Sequence, residues 1–201
     1  MNKESCDEIV LLGVLKAQDI LREKSFDPIH AVEHHQKTWE NVQWIVNNEG
    51  LEKSVDFGVL RLAAWWHDVD RGKANETESF EKYCEDSNIS PILVNKVTEV
   101  INEHSFGQLQ NSLEGKILYD ADKLEYVSIL RVETLLEMNK EGKIDNKVFD
   151  YYKIEWAKRI NKVKGSLNFV STRIRFNNEL AKFVEYGLKT PFFADLARSV
   201  I

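Results

Sequence analysis

The chain has 201 residues, a formal net charge of −6, 43% hydrophobic residues and 30% charged residues. This length suits one domain with a sizeable core, and the balance is that of an ordinary folded protein. The acidic total argues against general binding of nucleic-acid polymers, which needs a basic surface, but not against a small anionic substrate.

The first predicted helix begins at Pro28, after an N-cap at Asp27, and ends near Asn48. The helices predicted after it begin at Ser54, at Asn75 or Thr77, and at Ser90; longer ones cover about Leu113 to Met138, Asp145 to Lys162 and Ser166 to Gly187, and a short last helix follows Thr190 and Pro191. Alternating strand patterns are absent, so the sequence predicts an all-α fold.

The two cysteines, Cys6 and Cys84, lie far apart and form no metal-binding spacing. We interpret both as free thiols in a reducing compartment. No apolar run approaches the length of a membrane span, and the N-terminal residues lack a signal-peptide pattern. The sequence therefore predicts a cytoplasmic protein with no membrane partner.

The segment VLRLAAWWHD is apolar nearly all round before it ends in His67 and Asp68. Such a helix is expected at the centre of the fold, which would bury the carboxylate. A buried carboxylate needs a cation or strong donors, and imidazole with carboxylate suits Zn, Mn, Fe or Ni. The alternative is that Asp68 accepts hydrogen bonds at the helix end and His67 is a core histidine.

Two further segments, DPIHAVEHHQ and ILYDADKLE, offer more candidate ligands. In the first, the apolar stripe of the helix sends His35 inward and leaves His34 on its shoulder. In the second, Asp120 and Asp122 lie on different faces of a helix, so at most one of them points inward. Periodicity alone leaves the choice within each pair open.

The segments EHHQKTWENV, AAWWHDVDRG and ILYDADKLEY, in this order, resemble the HD-domain superfamily of metal-dependent phosphohydrolases. Local details agree: Asn41 follows His34 at the family's offset, a Gly-containing turn follows the His-Asp pair, and the last Asp precedes Lys and Leu. The segment INEHSF resembles a His-Ser segment near the active site of many members. The match covers roughly residues 27 to 131, about half of the chain.

The resemblance implies a single-domain helical bundle of the HD type over residues 1–201. Its motif-bearing core would cover about 27–131, with C-terminal helices at about 145–201 packing on it. It also implies one divalent metal ion, which could be Mn, Fe, Ni, Co, Zn or Mg. The metal ligands it implies are His34, His67, Asp68 and Asp122.

The expected activity is that of a metal-dependent phosphohydrolase, a phosphomonoesterase or phosphodiesterase, acting on a small nucleotide-like phosphate ester through a metal-activated water. Asp68 is expected to orient the attacking water, and His104 to contact the phosphate or protonate the leaving oxygen. The candidate substrate contacts are Arg71, Lys73 and Lys123, and His30 is the candidate support for the ligands.

Arg71 departs from the family pattern, because some nucleotide-cleaving members carry a catalytic acid at its position. This departure keeps a second hypothesis open, a non-catalytic sensor or regulatory module that binds metal and nucleotide. The expected partner in either case is a small phosphorylated metabolite. We interpret the Trp65–Trp66 pair and the Phe-rich C-terminal half as core or homodimer surface rather than as a platform for stacking bases.

Overall fold

The computed structural model describes residues 3–24 and 28–201 of the chain. The predicted N-cap at Asp27 and the side chain of Cys6 lie outside the described residues. Within these ranges the chain forms ten α-helices, three short 3-10 helices and no strand. The prediction of an all-α fold is confirmed.

The chain divides into two compact units, Met1–Asp122 and Lys123–Ile201. The first contains α1 (Lys3–Lys24), α2 (Val32–Glu49), α3 (Phe57–Trp66), α4 (Glu78–Asp86), α5 (Pro91–Glu103) and nearly all of α6 (Leu113–Leu124). The second contains α7 (Ile129–Lys140), α8 (Asn146–Val163), α9 (Val170–Lys189) and α10 (Ala194–Ser199). The organisation of the whole chain as one domain stays a prediction.

Helix α3 is the centre of the first unit, where it packs against α1, α2 and α5. Its apolar side chains from Val59 to Trp66 are buried, and Trp66 Nε1 donates a hydrogen bond to the carbonyl of Gly13 in α1 at 3.1 Å. The prediction of a central helix at this position is confirmed. Its cap lies later than predicted: the carboxylate of Asp56, rather than Ser54, accepts from the backbone N–H of Gly58 and Val59.

The second unit has an aromatic core. The ring of Trp156 in α8 lies 5.6 Å from that of Phe183 in α9 and 6.0 Å from that of Phe193, and all three side chains are buried. Edge-to-face pairs of this kind stabilise a core beyond the area they bury. These aromatic residues are therefore core residues of their unit. In the ranges that the structure describes, no helix combines the length and the apolar composition needed to cross a bilayer.

The prediction of one continuous helix from Leu113 to Met138 is wrong. Helix α6 ends at Leu124, a 3-10 turn covers Glu125–Val127, and Ser128 takes an extended conformation with ψ of 126° before α7 begins. The backbone carbonyl of Tyr126 accepts a hydrogen bond from Trp156 Nε1 at 2.7 Å. A tertiary contact thus uses a carbonyl that a continuous helix would have used internally.

Other boundaries shift more modestly. A 3-10 turn covers Pro28–His30, and α2 begins only at Val32, where a helix starting at Pro28 was predicted. Helix α9 begins at Val170 rather than at Ser166. Helix α1 has no counterpart among the predicted elements.

Candidate metal centre

Four buried side chains of the first unit gather at one place. Their possible ligand atoms all lie within 4.8 Å of one another, and the residues are His34, His67, Asp68 and Asp122. Helix α2 provides the first, the end of α3 the second and third, and α6 the fourth. The structure thus brings together the four residues that the family resemblance implies.

His67 is oriented by the end of its own helix. It is the C-cap of α3, and its Nδ1 donates to the carbonyl of Ala64 at 2.9 Å. Since a carbonyl can only accept, the proton of the neutral ring is on Nδ1 and Nε2 carries a lone pair. That Nε2 lies 3.1 Å from Nε2 of His34, so both imidazoles direct a ring nitrogen to the same point.

Asp68 is placed between the imidazoles and a guanidinium. Its Oδ2 lies 3.7 Å from Nε2 of both His34 and His67, and Nη1 of Arg71 donates to its two oxygens at 3.0 and 2.8 Å. Burial acts to raise the pKa of the Asp68 carboxyl, but the neighbouring His67, the nearby side chains of His104 and His34 and the charge of Arg71 hold that pKa well below its usual value. Asp68 is therefore a carboxylate at neutral pH.

Asp122 approaches the cluster from α6, and its Oδ1 lies 3.4 Å from Nε2 of His34. The adjacent backbone is fixed to α2, since Nδ2 of Asn41 donates to the carbonyl of Ala121 at 3.0 Å. Asp120 is also fully buried but is not part of the group of four. Periodicity left the choice within two pairs of residues open. The group contains His34 rather than His35, and Asp122 rather than Asp120.

This donor set fits a divalent metal ion. Metal–nitrogen bonds of about 2.0–2.1 Å place two ligand nitrogens roughly 3 Å apart at a right angle, close to the 3.1 Å between the two Nε2 atoms. Burial lowers the pKa of His67 to about 3, so its imidazole is neutral at physiological pH, as a ligand must be. A divalent cation would also balance the charge of two buried carboxylates.

Two further histidines face the same carboxylate. His104 is the C-cap of α5, donates from Nδ1 to the carbonyl of Ile101, and has Nε2 3.6 Å from Oδ1 of Asp68. His30 has Nε2 4.0 Å from Oδ2 of Asp68. Both side chains are buried, so the predicted catalytic histidine and the predicted supporting histidine lie beside the four residues. Their roles stay predictions.

The three cations predicted to contact substrate have different environments. Arg71 pairs with Asp68 and is 26% exposed. Lys73 forms ion pairs with Asp70 at 2.6 Å and Glu78 at 3.3 Å, which indicates a role in fastening the turn. Lys123 belongs to the second unit, where it is buried with Nζ 5.9 Å from the centre of the Tyr126 ring. Arg71 thus contacts the cluster through its ion pair with Asp68.

Two buried acids that support this region were not among the predicted residues. Asp70 accepts from the backbone N–H and the hydroxyl of Ser79 at 2.6 and 2.7 Å, which fastens the HDVDRGK turn to the start of α4. Glu103 accepts from the backbone N–H of Asn111 at 2.9 Å and of Ser112 at 3.2 Å, just before α6. No sequence signal marked either role, since Asp70 lies in the turn after α3 and Glu103 is the last residue of α5, and each meets its partners only in the folded chain.

The metal-free protein is expected to lose stability as the pH falls below about 6.5. Burial lowers the pKa of both His35 and His67 from 6.5 to about 3. As the pH falls, each histidine is therefore protonated in the unfolded chain before it is protonated in the folded protein. Above a pH of about 6.5 these histidines do not reduce the free energy of unfolding. Below it, each histidine lowers the free energy of unfolding by about 1.4 kcal/mol per pH unit. Urea unfolding at pH 7, 6 and 5 in the presence of chelator measures the slope. A free energy of unfolding that is constant over this range would contradict it.

No protein-family model and no curated protein matches the chain. Solved structures do. A Lactobacillus plantarum protein matches with a TM-score of 0.71 and 17% identity, over 92% of this chain and 95% of its own. A protein from an uncultured Thermotogales bacterium, described as a predicted HD superfamily hydrolase, matches with 0.55 and 22%, over 87% and 88%. Bacillus subtilis YpgQ, in complex with ADP, matches with 0.58 and 16%, over 89% and 98%.

At these identities the matches show a common fold, and they cover most of each chain. The resemblance seen in the sequence motifs and the resemblance of the fold agree with each other. The chain therefore shares the all-α fold of these structures, one of which is described as a predicted HD superfamily hydrolase, and it contains a buried group of histidine and aspartate side chains that could hold a metal ion.

Proposed function

We propose that this protein is a metal-dependent phosphohydrolase that cleaves a small, nucleotide-like phosphate ester. The observation that most supports this proposal is the buried group of two histidines and two aspartates within 4.8 Å of one another. A protein that needed these residues only for stability would place two carboxylates together in its interior at a considerable cost.

In the proposed reaction, the four residues of the group hold the metal ion and orient its water. When bound, a divalent ion supplies a water of lowered pKa and positive charge next to the phosphate oxygens. His34, His67 and Asp122 would hold the ion, and Asp68 would both hold it and accept a hydrogen bond from the attacking water. Burial of all four side chains limits competing bulk water, which strengthens the electrostatic interactions of the site.

His104 and Arg71 are the groups proposed to meet the substrate. The Nδ1 of His104 donates to the carbonyl of Ile101, which leaves Nε2 on the side of Asp68. In the doubly protonated ring, Nε2 would give its proton to the leaving oxygen or donate a hydrogen bond to the phosphate. The guanidinium of Arg71 pairs with Asp68 and is partly exposed, so an anionic substrate can reach it. The ADP in the YpgQ complex supports a nucleotide-like substrate.

The test combines metal analysis with a substrate panel. Purified protein is stripped with chelator and titrated with Mn²⁺, Co²⁺, Ni²⁺, Zn²⁺, Fe²⁺ and Mg²⁺, and its melting temperature is recorded at each step. Phosphate release is then measured from nucleotides and phosphosugars with each ion that binds. We expect at least one ion to raise the melting temperature and to support hydrolysis. Protein that binds none of these ions would overturn the proposal.

The second candidate function is a metal- and nucleotide-binding sensor. The observation that favours it is Arg71, which pairs with Asp68 at the position where some nucleotide-cleaving members carry an acid. The same panel separates the two functions, because a sensor would gain thermal stability from metal with nucleotide and release no phosphate.

A further inference from the structure

His35 is a neighbour of His67, one of the four residues of the candidate metal centre. Its side chain is fully buried, and its ring centre is 4.7 Å from that of His67. Its Nδ1 lies 3.3 Å from the carbonyl oxygen of Ala64, the oxygen that also accepts from Nδ1 of His67. One carbonyl in the last turn of α3 therefore accepts from two imidazoles.

The shared carbonyl determines how both rings are oriented. A carbonyl has two lone pairs and only accepts, so each neutral ring carries its proton on Nδ1. Carbonyls in the last turn of a helix are available to side chains because they lack partners further along the helix. The second donor restrains the carbonyl, and the ring of His35 packs against that of His67, so His67 has little freedom to turn its Nε2 away from His34.

Stability alone gives no reason for an imidazole at this position. The Nε2 of His35 is buried and has no hydrogen-bond partner, and burying an unpaired polar atom costs free energy. An apolar ring would fill the same space without that cost, since position 35 lies on the apolar stripe of α2. The nitrogen that contacts Ala64 is the part of the side chain that an apolar ring would lack.

We propose that His35 is a positioning residue of the metal centre, which holds the Ala64 carbonyl and the ring of His67 so that Nε2 of His67 faces the other ligands. The inference rests on the proposed metal site. It concerns a residue that would not touch the ion or the substrate.

Two variants test the donor at position 35. His35→Phe keeps a ring and removes the donor, whereas His35→Asn keeps a donor close to the position of Nδ1. We expect the dissociation constant for Zn²⁺, measured by calorimetry on metal-stripped protein, to rise about tenfold in His35→Phe and to stay within about threefold in His35→Asn. The melting temperature of metal-stripped His35→Phe should equal or exceed that of the wild type, because the unpaired nitrogen is gone.

Thr38→Val is the matched control. It also removes a buried polar atom without a hydrogen-bond partner from α2, and it should leave Zn²⁺ affinity unchanged. If His35→Phe does not fold, His35→Leu, which matches Asn in size, replaces it. Equal Zn²⁺ affinity in the Phe or Leu variant and the wild type would overturn the inference, and so would equal weakening in the Asn variant. A wild type that binds no ion would instead refute the metal site itself.

Discussion

Replacing Asp68 by Asn is expected to lower the rate of phosphate-ester hydrolysis by on the order of a thousandfold, the scale of removing one preorganised electrostatic group from an active site. The amide keeps the shape of the side chain but loses the charge that faces His34 and His67 at 3.7 Å. Arg71 loses its ionic partner, but it is 26% exposed and can turn to solvent, so the fold is expected to survive. Steady-state kinetics and bound-metal content, measured together, give the result.

Asp120→Asn is the matched control for this variant. Asp120 is a fully buried acid on α6, two residues before Asp122, and it lies outside the group of four. Its replacement is expected to leave metal affinity within about threefold of the wild type. A thousandfold loss of hydrolysis in Asp120→Asn, with activity retained in Asp68→Asn, would show that the four ligands have been identified incorrectly.

Gly115→Ala is expected to destabilise the first unit by about 3 kcal/mol. A Cβ at this position would lie 1.7 Å from Oε2 of Glu103 and 2.8 Å from its Cδ. The carboxylate is buried and bonded to the backbone N–H of Asn111 and Ser112, so it can only move by breaking those bonds. For a chain of this length the melting temperature should fall by roughly 6 to 12 °C, which calorimetry measures.

Gly165→Ala provides the comparison, because a Cβ there would meet nothing within 4 Å. Its free energy of unfolding should change by less than about 0.5 kcal/mol. Equal melting temperatures for Gly115→Ala and the wild type would mean that the Glu103 side chain can move at no cost in stability. That result would contradict its role in fixing the start of α6.

Helix starts were predictable where a cap residue marked them. Thr77, Ser90 with Pro91, and Asp145 each precede an observed helix. Helix α1 was missed because its outward face carries Leu11, Leu12 and Leu15, which obscure the buried stripe of Val10, Val14, Ala17 and Leu21. The break after Leu124 could not be predicted, since it depends on the hydrogen bond from Trp156 to the carbonyl of Tyr126, distant in the sequence.

At the candidate site, periodicity described α2 well. His35, in the middle of the apolar stripe, is fully buried, and His34, on the shoulder, faces the cluster. Periodicity could not choose the ligand, because that choice depends on where α3 and α6 bring their own side chains. The carbonyl shared by His35 and His67 has no signal in the sequence at all, since a backbone oxygen is the same at every residue.

Asp122 is the last of the four residues of the proposed metal centre in chain order, and it is also the last residue of the first compact unit. During synthesis the ribosome delivers His34 first and Asp122 last, so the complete ligand set exists only once α6 has been made. Tight metal capture would then mark the completion of this unit. A nascent chain that stalls before α6 would have three of the four ligands, and weak metal retention would distinguish it from the finished protein.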